Sequence, residues 1–286
     1  MKKILITGAN SYVGTNVEKW LIKEPDKYYV ETLDMKDPNW KEFDFSKFDV
    51  VFHVAGIAHV SAKKSMKEVY FKINRDLTIE TAMKAKEAGV KQFIFMSSMI
   101  VYNSREKNIT LTTKTEPNNF YGLSKLQAEE GIFQLESKSF NVCVLRPPMI
   151  YGPNSKGNFH LLAKNAKKFF ILPKLKNERS ILYIDNLLLC VKNCIDDDRK
   201  GLFFPRNTRS VSTNEIIFLV RNAIGKKNRE SIMLGFVVKV LKSFIAFLNK
   251  MYGDRIYDDT VPNILNDMII KCTFIDFEES VVNSIE

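Results

Sequence analysis

KILITGANSYVG, residues 3–14, is the stretch from which the rest of the chain can be read. Lys3 to Thr7 is a short, mostly apolar run that Gly8 ends, and a helical pattern follows from Tyr12 to Ile22. A strand that turns through glycine into a helix lets backbone approach a pyrophosphate, and the helix N-terminus favours the negative charge. Gly8, Asn10, Ser11, Tyr12, Val13 and Gly14 are therefore candidate contacts, with Ser11 standing where a middle glycine is usual. Asp34 ends a second strand, Tyr29 to Leu33, twenty residues after Gly14. A carboxylate there accepts both hydroxyls of an adenosine ribose and repels a 2′-phosphate, which predicts NAD over NADP. Lys36 works against that preference.

Outward from this turn the pattern repeats. Val50 to Val54 is continuously apolar, as expected of a strand buried on both faces. Met66 to Ala88 predicts one long helix closed by Gly89, Gln92 to Met96 a fourth strand, Tyr121 to Leu135 a helix and Val142 to Leu145 a fifth strand. Such alternation predicts an α/β fold with a parallel sheet covered on both faces, and ligands at the carboxyl ends of its strands. The 286 residues suffice for one large domain or two modest ones.

Composition narrows the function classes. Twelve Gly and nine Pro exclude a collagen-like or low-complexity chain. Four cysteines (Cys143, Cys190, Cys194, Cys272) without a CxxC, and three histidines, do not make a disulfide scaffold or a His-rich metal site, so no metal is expected. Cys190 and Cys194 read as one buried helix face. The N-terminus has too short an apolar run for a signal peptide, which predicts a reduced, cytoplasmic protein. Net charge is +10, and residues 152–180 hold seven basic residues (Lys156, Lys164, Lys167, Lys168, Lys174, Lys176, Arg179) against Glu178 alone. That stretch is either a solvated face or a basic lid over an anionic substrate. With no aromatic-interleaved stripe or motif beside it, nucleic acid is not expected as a partner.

The second constellation lies further along. The fourth strand ends in SSMIVY, residues 97–102, and the next helix opens with Tyr121-Gly-Leu-Ser-Lys125. Residues i and i+4 share a helix face. An ammonium beside a phenol lowers its pKa, which would make Tyr121 a general acid or base, while a strand-end hydroxyl holds the substrate oxygen.

Taken together, the TGANSYVG turn, Asp34, VVFHVAGIAHV (residues 50–60), Asn74 in INRDLT, FMSSMIVY, YGLSKLQAE, LRPPMIYGP (residues 145–153) and RSILYIDNL from Arg179 resemble the extended short-chain dehydrogenase/reductases, in their nucleotide-sugar epimerase and dehydratase branch. The resemblance implies a Rossmann-type doubly wound sheet with a smaller C-terminal substrate domain: residues 1–151 with 181–205 for NAD, 152–180 with 206–286 for substrate. It implies Tyr121 as acid/base, Lys125 as its pKa-lowering and nicotinamide-ribose partner, and Ser98, rather than Ser97, at the substrate hydroxyl. It places Val54, Ala55, Gly56, Asn74 and Pro148 with the cofactor. Met99, Met149, Asn158 and Arg179 fall with the substrate, Arg179 gripping its diphosphate. His53 and His59 fall at ordinary sheet-end positions and read as structural.

By the same resemblance, 4,6-dehydratases carry an Asp-Glu pair where this chain has Met99 and Ile100, so elimination is disfavoured. What remains is redox at one carbinol: a 4-epimerase working through a transient 4-keto sugar, or a 4-ketoreductase. The epimerase is the favoured expectation. Met149 replaces an Asn found in UDP-galactose 4-epimerases, which points to an N-acetylhexosamine or deoxy-amino sugar for surface polysaccharide. A homodimer through the Tyr121 helix is expected. A non-catalytic dinucleotide sensor is the rival class, opposed by the joint presence of Ser98, Tyr121 and Lys125. Finally, Ile232 to Lys250 reads as one helix with Lys239, Lys242 and Lys250 on one face and apolar residues over the rest. It suits either a core or dimer helix or peripheral contact with the inner face of a membrane, and in the second case the substrate could be a polyprenyl-diphosphate sugar.

Overall fold

The structure, a computed structural model, describes residues 1–58, 64–155, 157–166, 168, 170–265 and 275–285. His59, Lys156, Lys167 and Cys272 lie outside the described residues, as does the side chain of Asn158. In chain order the elements begin with β1 (Lys2–Thr7), α1 (Tyr12–Leu21), β2 (Tyr28–Leu33), β3 (Val50–His53), α2 (Lys67–Tyr70), α3 (Leu77–Glu87) and β4 (Gln92–Met96). They continue with β5 (Asn108–Ile109), α4 (Phe120–Phe133), β6 (Asn141–Leu145), β7 (Met149–Tyr151), α5 (Asn158–Ala166), β8 (Leu172–Pro173) and β9 (Ile181–Tyr183). The last are α6 (Ile184–Asp196), β10 (Gly201–Phe203), α7 (Thr213–Ala223), β11 (Glu230–Ser231), α8 (Ile232–Leu241), α9 (Ala246–Tyr252), β12 (Ile256–Tyr257) and α10 (Phe277–Asn283).

The first of two compact units comprises residues 1–104, 114–147 and 187–205. Its sheet has six parallel strands in the order β2-β1-β3-β4-β6-β10. Every residue of β3 and β4 is buried, so both sheet faces are covered and the unbroken apolar runs are explained. Leu5, Val51, Phe93, Phe95, Phe140 and Val144 form the centre of the core. The order reverses between β1 and β3, where the chain leaves first to one side and then to the other. That is where a crevice opens at the strand ends.

Between β2 and β3 the chain makes two 3-10 turns, Pro38–Glu42 and Phe45–Lys47, which bury Trp40 and Phe45. The helix expected over residues 66–88 is interrupted by a π-helical segment, Phe71–Asp76, between α2 and α3. A π segment holds an extra residue per turn and re-aims the side chains within it. Here it carries the buried Asn74.

His53, fully buried at the end of β3, has both ring nitrogens engaged: Nδ1 with Thr7 Oγ1 at 2.7 Å and Nε2 with Thr78 Oγ1 at 3.0 Å. Burial, with the Lys125 charge adding to it, pulls its pKa from 6.5 to about 3. As pH falls below 6.5 the unfolded chain takes this proton and the folded one does not, so stability is lost as pH falls towards 3. Between pH 6.5 and 5.5 the loss from this one group should be about 1 kcal/mol. His53→Gln should flatten that part of the denaturation-against-pH curve; an unchanged slope would remove His53 as its cause.

The second unit comprises residues 105–113, 148–186 and 206–286. Residues 148–151 and 181–186, expected with the cofactor domain, fall in this unit, as do 105–113. The reason is pairing: β7 ladders with β9, Met149 opposite Ile181, and neither joins the six-stranded sheet. Two further parallel pairs, β8 with β11 and β5 with β12, complete its sheet structure. α5 and α10 pack on α7, which begins with a Ser212–Glu215 capping box. Tyr151 is the buried anchor, its hydroxyl 2.5 Å from Ser280 Oγ and 3.1 Å from Asn207 Nδ2. The single helix expected over residues 232–250 is instead α8 and α9, broken where Ile245 takes an extended backbone (φ −108, ψ 104).

Candidate active site

The turn after β1 is built by close backbone approach. Gly8 has φ +116, and a Cβ on it would sit 2.6 Å from Ala55 N and 2.9 Å from Ala55 Cα. Only glycine brings β1 and β3 this near at the switch point. Asn10 takes a left-handed conformation, φ 64, which its short polar side chain tolerates. Ser11 caps α1, accepting from Gly14 N at 3.1 Å. The middle serine is thus a helix cap, which accounts for the departure from glycine. The first-turn N–H groups at Tyr12 and Val13 have no carbonyl in their own helix. Asp34 turns Oδ1 to Lys36 N at 3.0 Å. A glycine cradle at the switch point, a helix start and a carboxylate at the end of β2 fit a dinucleotide: diphosphate over residues 10–13, ribose at Asp34. Gly8→Ala should cost on the order of 1–3 kcal/mol in stability and strip most of the NAD that the purified protein retains. Unchanged melting and NAD content would show that the turn is not needed in this form.

Across the crevice, Asn74 ties the loop after β3. Its Oδ1 accepts from Ile57 N at 2.8 Å, while Nδ2 donates to Ile57 O and to Ser124 Oγ, each at 3.1 Å. Gly56 lies in the same cluster, for a Cβ on it would be 3.0 Å from Asn74 Oδ1 and 3.3 Å from Lys125 Nζ. Gly56, Asn74 and Lys125, far apart in sequence, are therefore neighbours.

α4 starts at an Asn119 cap, with Gly122 N donating to Asn119 Oδ1 at 2.8 Å, and this fixes the direction in which Tyr121 and Lys125 project. Gly122 is required, since a Cβ there would meet the Ile100 carbonyl and Pro117. The Ser98 hydroxyl lies close enough to Tyr121 to pull its pKa down against burial, and the Tyr121 ring lies 6.0 Å from that of Tyr70. Ser98 also accepts from Ile100 N at 3.2 Å, so the 3-10 turn Met99–Val101 holds its hydroxyl in place. Ser97 points elsewhere: its Oγ bonds the buried Glu129 carboxylate. The pairing of Tyr121 with Ser98 is what favours Ser98 over Ser97.

The expected electrostatics need correcting. Lys125 Nζ donates to Met96 O at 2.9 Å and lies 4.5 Å from the centroid of Phe95. Burial lowers its pKa to about 8, opposed by the Glu129 charge. Tyr121 is pushed up to about 12 by burial, against the Ser98 hydrogen bond that lowers it. Spacing of i and i+4 put the two on one face, but the carbonyl at the end of β4, not the phenol, takes the ammonium. Lowering the phenol's pKa requires the ammonium to come nearer to it.

Behind this site is a buried polar network that sequence reasoning missed. Arg146 forks onto Glu129, with Nε 3.1 Å from both carboxylate oxygens and Nη2 2.5 Å from Oε2, and its Nη1 donates to Tyr102 OH at 2.9 Å. Both signals were there to find: Glu129 is four residues after Lys125, and Arg146 ends a wholly apolar strand.

Of the residues expected at the substrate, Met99 lies in the first unit with Ser98 and Tyr121, while Met149, Asn158 and Arg179 lie in the second, as does Pro148, expected with the cofactor. Met149 is in β7, Asn158 opens α5, and Pro148 precedes β7. Arg179 exchanges backbone hydrogen bonds with Val211 at 2.9 Å each way. Its guanidinium donates to Lys250 O and, at 3.1 Å, to Gly253 O, capping the end of α9. Burial lowers its pKa to about 10. A cleft of about 330 Å³ beside it is lined by Lys107, Lys176, Glu178 and Asp254, two cations against two carboxylates. Cys143, Cys190 and Cys194 are buried together in the first unit, and the described residues hold no His/Cys/Asp/Glu group able to bind a metal.

A strand-end hydroxyl beside a phenol from α4, in the same unit as the Lys125 ammonium and the glycine turn, is an arrangement suited to proton transfer at a substrate carbinol. The chain belongs to the NAD dependent epimerase/dehydratase family, whose model matches residues 4–201. It is 32% identical over 252 residues to a UDP-glucose 4-epimerase of Vibrio cholerae, covering 79% of this chain and 76% of that one. It is 26% identical over 243 residues to an N-acetyl-α-D-glucosaminyl-diphospho-ditrans,octacis-undecaprenol 4-epimerase of Escherichia coli O157:H7, covering 78% and 73%. Its fold is like that of UDP-glucuronic acid 4-epimerase from Bacillus cereus, solved with UDP-glucuronic acid and NAD, at TM-score 0.75 and 18% identity over 99% of this chain and 98% of that one.

Proposed function

We propose that this protein is an NAD-dependent 4-epimerase of a nucleotide-activated sugar, of the UDP-hexose or UDP-N-acetylhexosamine type, serving surface polysaccharide synthesis. The observation that carries the reading is the Ser98 hydroxyl placed beside the Tyr121 phenol, in the unit that holds the dinucleotide turn and just before Met99 and Ile100. Ser98 holds the substrate's O4, and Tyr121, once ionised with the Lys125 ammonium drawn near it, takes the O4 proton and returns it after the sugar has turned. Bound NAD supplies reversible hydride acceptance at C4. Lys125, anchored between Met96 O and the Gly56–Asn74 cluster, is placed to hold a ribose hydroxyl, and its ammonium would lower the pKa of Tyr121 on moving from Met96 O towards the phenol. Met99 and Ile100 offer neither acid nor base, which supports simple redox over elimination. Gly8, Asn10, Ser11, Tyr12, Val13, Gly14, Asp34, Val54, Ala55, Gly56, Asn74 and Pro148 are proposed for NAD; Met99, Met149, Asn158 and Arg179 for the substrate. For Arg179 to grip a diphosphate, its guanidinium has to share donors now used on α9. The relatives' sugar 4-epimerase activities support the same reading, and we place the enzyme in the cytoplasm as a homodimer through α4.

The test is to denature the purified protein, quantify released nicotinamide dinucleotide, and assay UDP-glucose, UDP-N-acetylglucosamine and their C4 epimers without added cofactor. Near-stoichiometric NAD(H) with interconversion is expected. An empty protein that consumes NADH or NADPH with 4-keto sugars would replace the epimerase by a 4-ketoreductase. No binding of any dinucleotide would overturn both.

A further inference from the structure

The second unit leaves one side of α8 bare. Ile232, Met233, Phe236 and Val240 lie on that side and are 75%, 78%, 70% and 48% exposed. The opposite side is seated: a Cβ on Gly235 would collide with the Lys174 carbonyl, and Val238 is buried. Phe244, 81% exposed, extends the apolar face past the helix end. α8 is thus held firmly by its Gly235–Val238 edge while its most apolar residues point into solvent. Contiguous exposure of this kind marks a surface that meets something.

Charge says what it meets. Residues 152–180 and 221–250 together hold fourteen Lys/Arg and two Asp/Glu, a charge of +12 against −2 for the rest of the chain, although Arg179 and Arg221 among them turn inward onto backbone carbonyls. One of the two acids, Glu230, is tied to Asn214 Nδ2 at 2.8 Å. Lys174, against which α8 packs, and Lys239, one turn beyond Phe236, are both exposed. A second copy of the chain would fit the apolar side chains, but a two-fold contact would press this positive surface onto itself. An anionic lipid surface satisfies both features: acyl chains for the aromatic and aliphatic groups, phosphates for the lysines. No described helix is long and apolar enough to cross a membrane, so the fit is to lying in the interface.

We propose that α8 and the Phe244 turn form a membrane-binding surface that seats the protein on an anionic bilayer. The inference does not depend on which sugar the enzyme turns over, nor on its being an epimerase. The experiment is flotation of the full chain with phosphatidylcholine vesicles, with and without about 30 mol % phosphatidylglycerol. The protein should float with the anionic vesicles only, and less as salt is raised. The double substitution Phe236→Asp, Val240→Asp should lower the bound fraction at least about ten-fold, with melting temperature and NAD content unchanged. Phe236→Trp should show a blue-shifted emission on the same vesicles. Failure of folded protein to float at low salt, or flotation untouched by the double substitution, would overturn the proposal. So would a dimer that the double substitution dissociates while the parent ignores vesicles, since the face would then be a self-contact.

Discussion

Tyr121→Phe should lose at least about two orders of magnitude in turnover, the scale of a missing acid/base group, while NAD binding and melting temperature stay close to those of the parent. The phenol hydroxyl lies beside Ser98 and is not part of the buried Glu129–Arg146 network. Removing it therefore takes away proton transfer and leaves the fold and the turn at Gly8 alone. Steady-state rates in both directions on the epimer pair, with NAD content measured on the same samples, separate the two effects. Near-normal turnover would falsify the role given to Tyr121. The pH dependence offers an internal check. Lys125 sits at about 8 with the Glu129 carboxylate holding it up against burial. Loss of that negative charge in Glu129→Gln lowers the lysine further, so the alkaline limb of kcat/KM should move to lower pH. A limb that does not move would mean that Lys125 does not control it.

Arg146→Ala should be the most destabilising change in the first unit. It strands the Glu129 carboxylate, 1% exposed and packed against Ser97, without its forked partner, and removes the donor to Tyr102. Breaking a buried pair from one side costs about 3–5 kcal/mol, and for a unit of this size a drop on the order of 10 °C in Tm follows. The double substitution Arg146→Met, Glu129→Leu should recover much of the loss, because no charge is left buried. Calorimetry on the three proteins decides it; a small drop for Arg146→Ala alone would mean that water reaches the carboxylate.

Much of this was legible before any coordinates. The strands of the first unit are short, apolar and buried on both faces, so local composition alone marks them, and Gly8 and Asp34 stand at their ends where backbone geometry demands them. Ser98 and Tyr121 could be proposed together because a strand end and the start of the next helix bring them side by side.

Other features were decided only in three dimensions. The π segment at Asn74 follows from the need to hold Ile57 and Ser124 together, contacts that sequence spacing does not reveal. The partner of Lys125 is a carbonyl of β4, and the burial of each side chain moves the lysine down and Tyr121 up, opposite to the shifts of a bare Tyr–Lys pair. Arg179 caps a helix some seventy residues away, and β7 leaves the main sheet because β9 pairs with it. Sequence by itself determined what local propensity and strand-end chemistry determine: the parallel sheet, the glycine turn after its first strand and the candidates for the reacting groups. Tertiary structure decided which groups lose water and which distant backbone they meet, and those two things fix charge state, pairing and the exposed face of α8.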